Sequence, residues 1–123
     1  MRLNGMGDET VSLYWQSTGI SQRFMNDLLA YCFSNPVIQK VVFFGSRARG
    51  DYRKTSDIDL SIYINNATHS QQNLIEYQIQ EMPTLLKIDI LFMDRVSKEK
   101  LIANIEKDGI VVYERGKTLR KAK

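Results

Sequence analysis

The stretch that decides the fold is residues 44–60, which read FGSRARGDYRKTSDIDL. It begins at the end of a run of β-branched and aromatic side chains, residues 37–44, which predicts a buried strand. That strand is predicted to end at Gly45-Ser46, and a polar loop follows. Over residues 57–64 apolar and polar side chains alternate, and this period of two predicts a half-buried strand. The stretch therefore joins two strands through a loop that carries glycine, serine and arginine.

The rest of the chain alternates helical and strand patterns. In chain order it predicts a helix capped by Ser21 and stopped by Asn35-Pro36, a helix over 71–82, a strand over 85–92, a helix capped by Ser97 and closed by Gly109, and a strand over 110–113. Residues 1–19 form an N-terminal arm in which a short alternating stretch over 11–15 predicts an edge strand or an ordered arm. This order predicts an α+β fold, a mixed sheet of about four strands with helices packed on it.

Composition sets the class of protein. The chain has 123 residues, 17 basic and 14 acidic, and a net charge of +3, which predicts one domain over residues 1–114. Residues 115–123 form a basic tail with five basic side chains, so the body has 12 basic and 14 acidic residues and a charge of −2. Neither a signal peptide nor a transmembrane segment is recognisable, and the single cysteine, Cys32, falls on the apolar stripe of the first helix. We therefore expect a cytoplasmic location and no disulfide.

Three aspartates fall on predicted strands. Asp57 and Asp59 occupy positions i and i+2, so their side chains share one face about 6–7 Å apart and can converge on shared cations. An Asp-x-Asp alone is more often the solvated face of a half-buried strand. Asp89, however, also lies on the non-core face of a strand, where aspartate is uncommon, and like charges on neighbouring strands repel unless a cation separates them. The three together predict a two-cation site for Mg²⁺ or Mn²⁺.

A second candidate feature is the glycine and serine at the end of the first strand. Glycine lets backbone N–H groups approach a phosphate closely, and the hydroxyl of Ser46 adds a donor. The spacing from Gly45 to Gly50 is similar to the opening of a P-loop, but Asp51 and Tyr52 stand where that motif requires lysine and serine or threonine. The P-loop interpretation therefore fails, and a phosphate-binding turn remains.

Four cations follow this turn within eight residues. Arg47 and Arg49 could equally well bind a triphosphate or pair with surface carboxylates. Arg53 and Lys54 are better explained as solvated surface residues.

Taken together, the glycine turn and the three aspartates resemble the motif of a known enzyme superfamily. A Gly-Ser, ten intervening residues, an Asp-x-Asp and a later strand aspartate resemble the polymerase-β-type nucleotidyltransferase superfamily. In so short a chain the pattern is similar to the minimal nucleotidyltransferases, or MNT proteins, that are encoded beside HEPN-domain partners. The similarity covers roughly residues 37–113.

The resemblance implies site residues, cofactors and a partner. Asp57, Asp59 and Asp89 would hold two Mg²⁺ ions and act as the catalytic carboxylates, and ATP would be the substrate. Gly45 and Ser46 would bind its phosphates with help from the arginines at 47 and 49. AMP would pass to a tyrosine of a HEPN toxin, which would make this chain an antitoxin.

Two other functions remain open on the sequence. The chain could neutralise its partner by forming a complex, without catalysis. Nucleic-acid binding through the tail over 115–123 is the weakest alternative, because the tail is short and has no interleaved aromatic residues.

Overall fold

The structure, a computed structural model, describes residues 13–116. Its helices and strands are α1 Gln22–Ser34, β1 Ile38–Phe44, α2 Gly45–Arg49, β2 Ile58–Ile64, α3 His69–Gln80, β3 Ile88–Phe92, α4 Glu99–Asp108 and β4 Ile110–Glu114, with 3-10 helices at Leu13–Thr18 and Met93–Arg95. Most of the predicted N-terminal arm and the tail from residue 117 lie outside the described residues. Within residues 13–116, no helix is long and apolar enough to cross a membrane.

The four strands form one mixed sheet in the order β3-β2-β1-β4. Strand β1 pairs antiparallel with both β2 and β4, whereas β2 and β3 are parallel. A parallel pair needs a long crossover connection, and α3 lies within it. The predicted α+β class is therefore confirmed.

One face of the sheet is the core. Three apolar residues of β2 are buried against α1 and α3, and this cluster includes Ile58, Leu60, Ile62, Phe24, Leu28, Cys32, Ile75 and Ile79. Because strand side chains alternate, burying these positions turns Asp59 and its alternate neighbours to the opposite face. Cys32 is fully buried, as its place on the helical stripe predicted.

Several element boundaries differ from the prediction. Ser21 does cap α1, since its Oγ accepts the Phe24 N–H at 3.1 Å. In contrast, Ser97 is not the cap of α4, which has Lys98 at that position and no side-chain cap. Helix α3 starts two residues early because Thr68 and Gln71 form a reciprocal capping box. Strand β3 is shorter than the predicted 85–92, since it begins at Ile88.

The structure changes one prediction and decides between the two alternatives of another. Residues 45–49 form the short helix α2 rather than a loop, and Gly50, at φ +93°, ends it by donating its N–H to the Ser46 carbonyl at 2.9 Å. Near Trp15, where the pattern predicted an edge strand or an ordered arm, the described residues form a 3-10 helix in which the indole is buried, so the ordered arm is the alternative that agrees with the structure. Val11 of that pattern lies outside the described residues.

Arg115 is part of the folded body rather than of the predicted tail. Its guanidinium donates to the carbonyl oxygens of Cys32 at 2.9 Å, Asn35 at 3.0 Å and Ile38 at 3.0 Å. It thereby satisfies backbone groups at the C-terminal end of α1 and fixes the start of β1.

Candidate active site

Asp59 and Asp89 are brought together by the sheet. They are register partners on the parallel strands β2 and β3 and lie on the face away from the core. The pKa of Asp59 is raised to about 6, first by burial and then by the negative charges of Asp89 and Asp57 and a hydrogen bond to Asp89, while Arg49 opposes the shift. Three carboxylates thus act on one another at this edge of the sheet.

Asp57 lies just before β2, on a backbone that is held from both sides. The Ile58 N–H donates to the Lys87 carbonyl at 2.8 Å, which ties the strand to β3. The preceding carbonyl, that of Ser56, accepts a hydrogen bond from Arg47 at 3.0 Å. The backbone that carries Asp57 into the site is therefore held in position by hydrogen bonds on both sides.

Gly45 lies directly against the Asp59 carboxylate. It has φ +77°, a conformation that glycine adopts readily, and a Cβ at this position would collide with Asp59 Oδ2. This contact arises because Phe44, the residue before Gly45, is the register partner of Asp59. The first turn of α2, with Gly45 and Ser46, therefore lies at the edge where the carboxylates meet.

The Arg47 side chain, for which the resemblance implied phosphate binding, is engaged with the backbone in this structure. Its side chain is buried, with 3 % exposed, and its guanidinium donates four hydrogen bonds to backbone carbonyls. The acceptors are Ser56 at 3.0 Å, Thr18 at 2.9 Å, Arg53 at 3.3 Å and Lys54 at 3.1 Å. A guanidinium has five N–H donors, so little capacity remains for a phosphate. We assign it a structural role instead.

Arg49 remains available at the site. It is exposed and pairs with Asp51 through Nε at 3.3 Å, a surface contact that contributes little to stability. Its positive charge lowers the pKa of Asp59, which places the guanidinium within electrostatic reach of the carboxylates. It can therefore meet an anion bound there.

The carboxylates fit a hard cation in chemistry but do not form a complete cage. In residues 13–116, no group of three His, Cys, Asp or Glu side chains is arranged to hold a metal ion by itself. The donors are all oxygens, which Mg²⁺ prefers, and the repulsion that raises the pKa of Asp59 is what a cation would relieve. Mg²⁺ commonly completes its shell with water and substrate phosphates.

The sequence comparisons show the family. Residues 26–118 match the family described as Polymerase beta, Nucleotidyltransferase. This match covers more than half of the chain, so the chain belongs to the polymerase beta nucleotidyltransferase family. No curated protein sequence matches it.

Three solved structures share the fold. A nucleotidyltransferase assigned as putative, from Sulfolobus solfataricus, has 22% identity and a TM-score of 0.54, over 87% of this chain and 93% of that one. A toxin–antitoxin solved with AMP-PNP has 17% identity and a TM-score of 0.60, over 75% and 74%. The toxin–antitoxin MntA–HpeT, in a form with two aspartates changed to glutamate, has 15% identity and a TM-score of 0.59, over 75% and 74%.

The sequence reasoning missed one functional feature, the helix α2 with its buried arginine. A signal was present, because a glycine directly after Ala48-Arg49 is typical of a helix end. The partners of Arg47 were not foreseeable from its neighbours, because they are carbonyls that any residue type supplies.

Proposed function

We propose that the chain is a Mg²⁺-dependent nucleotidyltransferase that moves AMP from ATP to an acceptor hydroxyl: the hydroxyl oxygen bonds to the α-phosphorus, pyrophosphate leaves, and the hydroxyl proton passes to solvent. The observation that carries the proposal is the contact between three elements: Asp59 on β2, Asp89 on β3 and the Gly45 turn at the end of β1. Carboxylates beside a glycine turn are what a metal-bound triphosphate requires. Family membership supports the reaction class.

In this mechanism each residue has a defined task. Asp57, Asp59 and Asp89 present the carboxylate oxygens that bind Mg²⁺, and Gly45 and Ser46 offer a backbone N–H and a hydroxyl to the phosphates. Arg49 counters the negative charge of the triphosphate. Bound Mg²⁺ would stabilise the charge that develops at the phosphates and lower the pKa of the attacking hydroxyl.

The acceptor that we propose is a tyrosine of a HEPN-domain toxin, which makes this chain an antitoxin. Two of the similar structures support this choice, since both are toxin–antitoxin pairs. One was solved with AMP-PNP, an ATP analogue. In the other, the two changed aspartates are two residues apart, the spacing of Asp57 and Asp59 here.

The test is transfer of label from α-labelled ATP, GTP, CTP and UTP to the product of the neighbouring gene, which we propose is a HEPN-domain protein. We expect Mg²⁺-dependent labelling that is strongest with ATP and lost in the double variant Asp57→Asn, Asp59→Asn. Asp27→Asn, a matched change on the surface of α1, should label as the wild type does. Undiminished labelling by the double variant would refute the proposal.

A second candidate is an antitoxin that neutralises its partner by forming a complex, without transfer. The presence of toxin and antitoxin together in both similar structures favours it. Neutralisation of the toxin that persists in the double variant would support this candidate over the first.

A further inference from the structure

Arg47 is the most heavily hydrogen-bonded side chain that the proposed mechanism leaves without a task. Its buried guanidinium has no carboxylate partner within residues 13–116. Four backbone carbonyls compensate its charge instead, since a buried cation is costly unless it is hydrogen-bonded. The ring of Tyr52 covers it, with the guanidinium carbon 4.6 Å from the ring centroid.

The four carbonyls lie on two segments of the chain. Three of them, from Arg53, Lys54 and Ser56, belong to the loop that joins α2 to β2, here called the 50–57 loop. The fourth is Thr18, at the end of the N-terminal 3-10 helix. Arg47 itself is the third residue of α2, so it connects the turn at Gly45 to the loop that leads into the carboxylates.

The hydrogen bond to Ser56 is the one that bears on the site. The Ser56 carbonyl belongs to the peptide group directly before Asp57, and the next amide, that of Ile58, is held by Lys87 of the neighbouring segment. Asp57 thus stands between two fixed points, one of which is Arg47. Because a polar group behind a ligand orients it, losing such a contact weakens metal binding.

We infer that Arg47 is a positioning residue that sets the distance between the phosphate-binding turn and Asp57, and that it does not bind phosphate. The inference rests on the proposed function only in taking Asp57 as a metal ligand. Its geometric part, that Arg47 holds the 50–57 loop closed, stands by itself and is tested separately.

Trypsin tests the geometric part, because the 50–57 loop contains its cleavage sites after Arg53 and Lys54. Their carbonyls are the ones that Arg47 binds. In Arg47→Lys, a single ammonium cannot reproduce the planar fork of four hydrogen bonds. We expect cleavage at these bonds to be at least tenfold faster than in the wild type, at a temperature where circular dichroism shows both proteins folded. Arg23→Lys, the same change on the exposed surface of α1, should be cleaved at the wild-type rate.

Mn²⁺ binding followed by electron paramagnetic resonance, without nucleotide, tests the connection to the site. We expect roughly tenfold or more weaker binding in Arg47→Lys, the range that loss of a contact behind a ligand produces. Transfer assays should show a fall in kcat with little change in the KM for ATP. A raised KM with unchanged Mn²⁺ affinity would show that Arg47 binds phosphate and would overturn the inference. Unchanged cleavage of the 50–57 loop would also overturn it.

Two further comparisons distinguish failure of this inference from misfolding of the variant and from failure of the proposed function. If Arg47→Lys does not fold, Tyr52→Leu, which removes only the covering ring, carries the test and should show the same two changes to a smaller degree; wild-type values for it would refute the inference. If the wild type neither binds Mn²⁺ nor transfers label, the proposed function has failed, and the cleavage result still decides whether Arg47 holds the loop.

Discussion

The crowding of carboxylates predicts that removing one of them stabilises the protein. In Asp59→Asn the cost of burying a charge, which is the largest cause of the pKa shift, and the repulsion from Asp89 and Asp57 both disappear, and the amide can donate a hydrogen bond to Asp89. The pKa of Asp59 is raised from 3.8 to about 6. Two units correspond to about 3 kcal/mol at most, and because the side chain is only partly buried, solvent screening reduces this to about 1 kcal/mol.

The pH dependence follows from the direction of the shift. A carboxyl whose pKa is higher in the folded than in the unfolded protein favours folding while it is protonated, so its contribution is lost as the pH rises from about 4 to about 6. The free energy of unfolding of Asp59→Asn should therefore exceed that of the wild type at pH 7.5 and equal it below pH 4. The groups that act on this carboxyl are Asp89, Asp57 and Arg49.

Urea denaturation followed by circular dichroism, with EDTA present, measures this difference. We expect a gain of about 1 kcal/mol for Asp59→Asn at pH 7.5, which in a thermal melt is a rise in Tm of roughly 4 °C. Asp27→Asn, which removes an exposed ion pair with Arg23, should stay within about 0.5 kcal/mol of the wild type. If Asp59→Asn is less stable than the wild type at pH 7.5, the charge of Asp59 does not disfavour the folded state and the reasoning is wrong.

Three further predictions concern single residues. Gly45→Ala should abolish label transfer and destabilise the fold, because its Cβ meets the Asp59 carboxylate, whereas Gly50→Ala, also at positive φ but with open space around it, should lose only about 1 kcal/mol and keep activity. Burial raises the pKa of Cys32 to about 12, so we expect its thiol not to react with a thiol reagent at pH 8 until urea unfolds the chain. Arg115→Ala should lower the free energy of unfolding by about 2 kcal/mol in urea, since three carbonyls lose a charged donor; an unchanged midpoint would contradict this.

The sheet and its carboxylate edge were predictable because both depend on local patterns. A period of two fixed which side of β2 is buried, and the same alternation turned Asp59 away from the core. The pairing of Asp59 with Asp89 was foreseeable in kind, since two strand aspartates on the non-core face need a reason to be there. Their register was not foreseeable, because strand pairing joins residues 30 positions apart.

The hydrogen-bond partners of Arg47 could be predicted neither from the family resemblance nor from the local sequence pattern. An arginine beside a glycine turn and an Asp-x-Asp is typical of a phosphate-binding site, and its sequence neighbours indicate no other binding partner. The structure gives it acceptors of another kind, and one of them, the Thr18 carbonyl, lies 29 residues away in the N-terminal 3-10 helix. Every residue has a backbone carbonyl, so the sequence does not show which carbonyls a cationic side chain binds. An arginine that binds the backbone therefore cannot be distinguished from one that binds a ligand until the fold is known. In this site the distinction decides the chemistry: Arg49 remains as the cation that can meet a phosphate, and Arg47 becomes the residue that holds Asp57 in place.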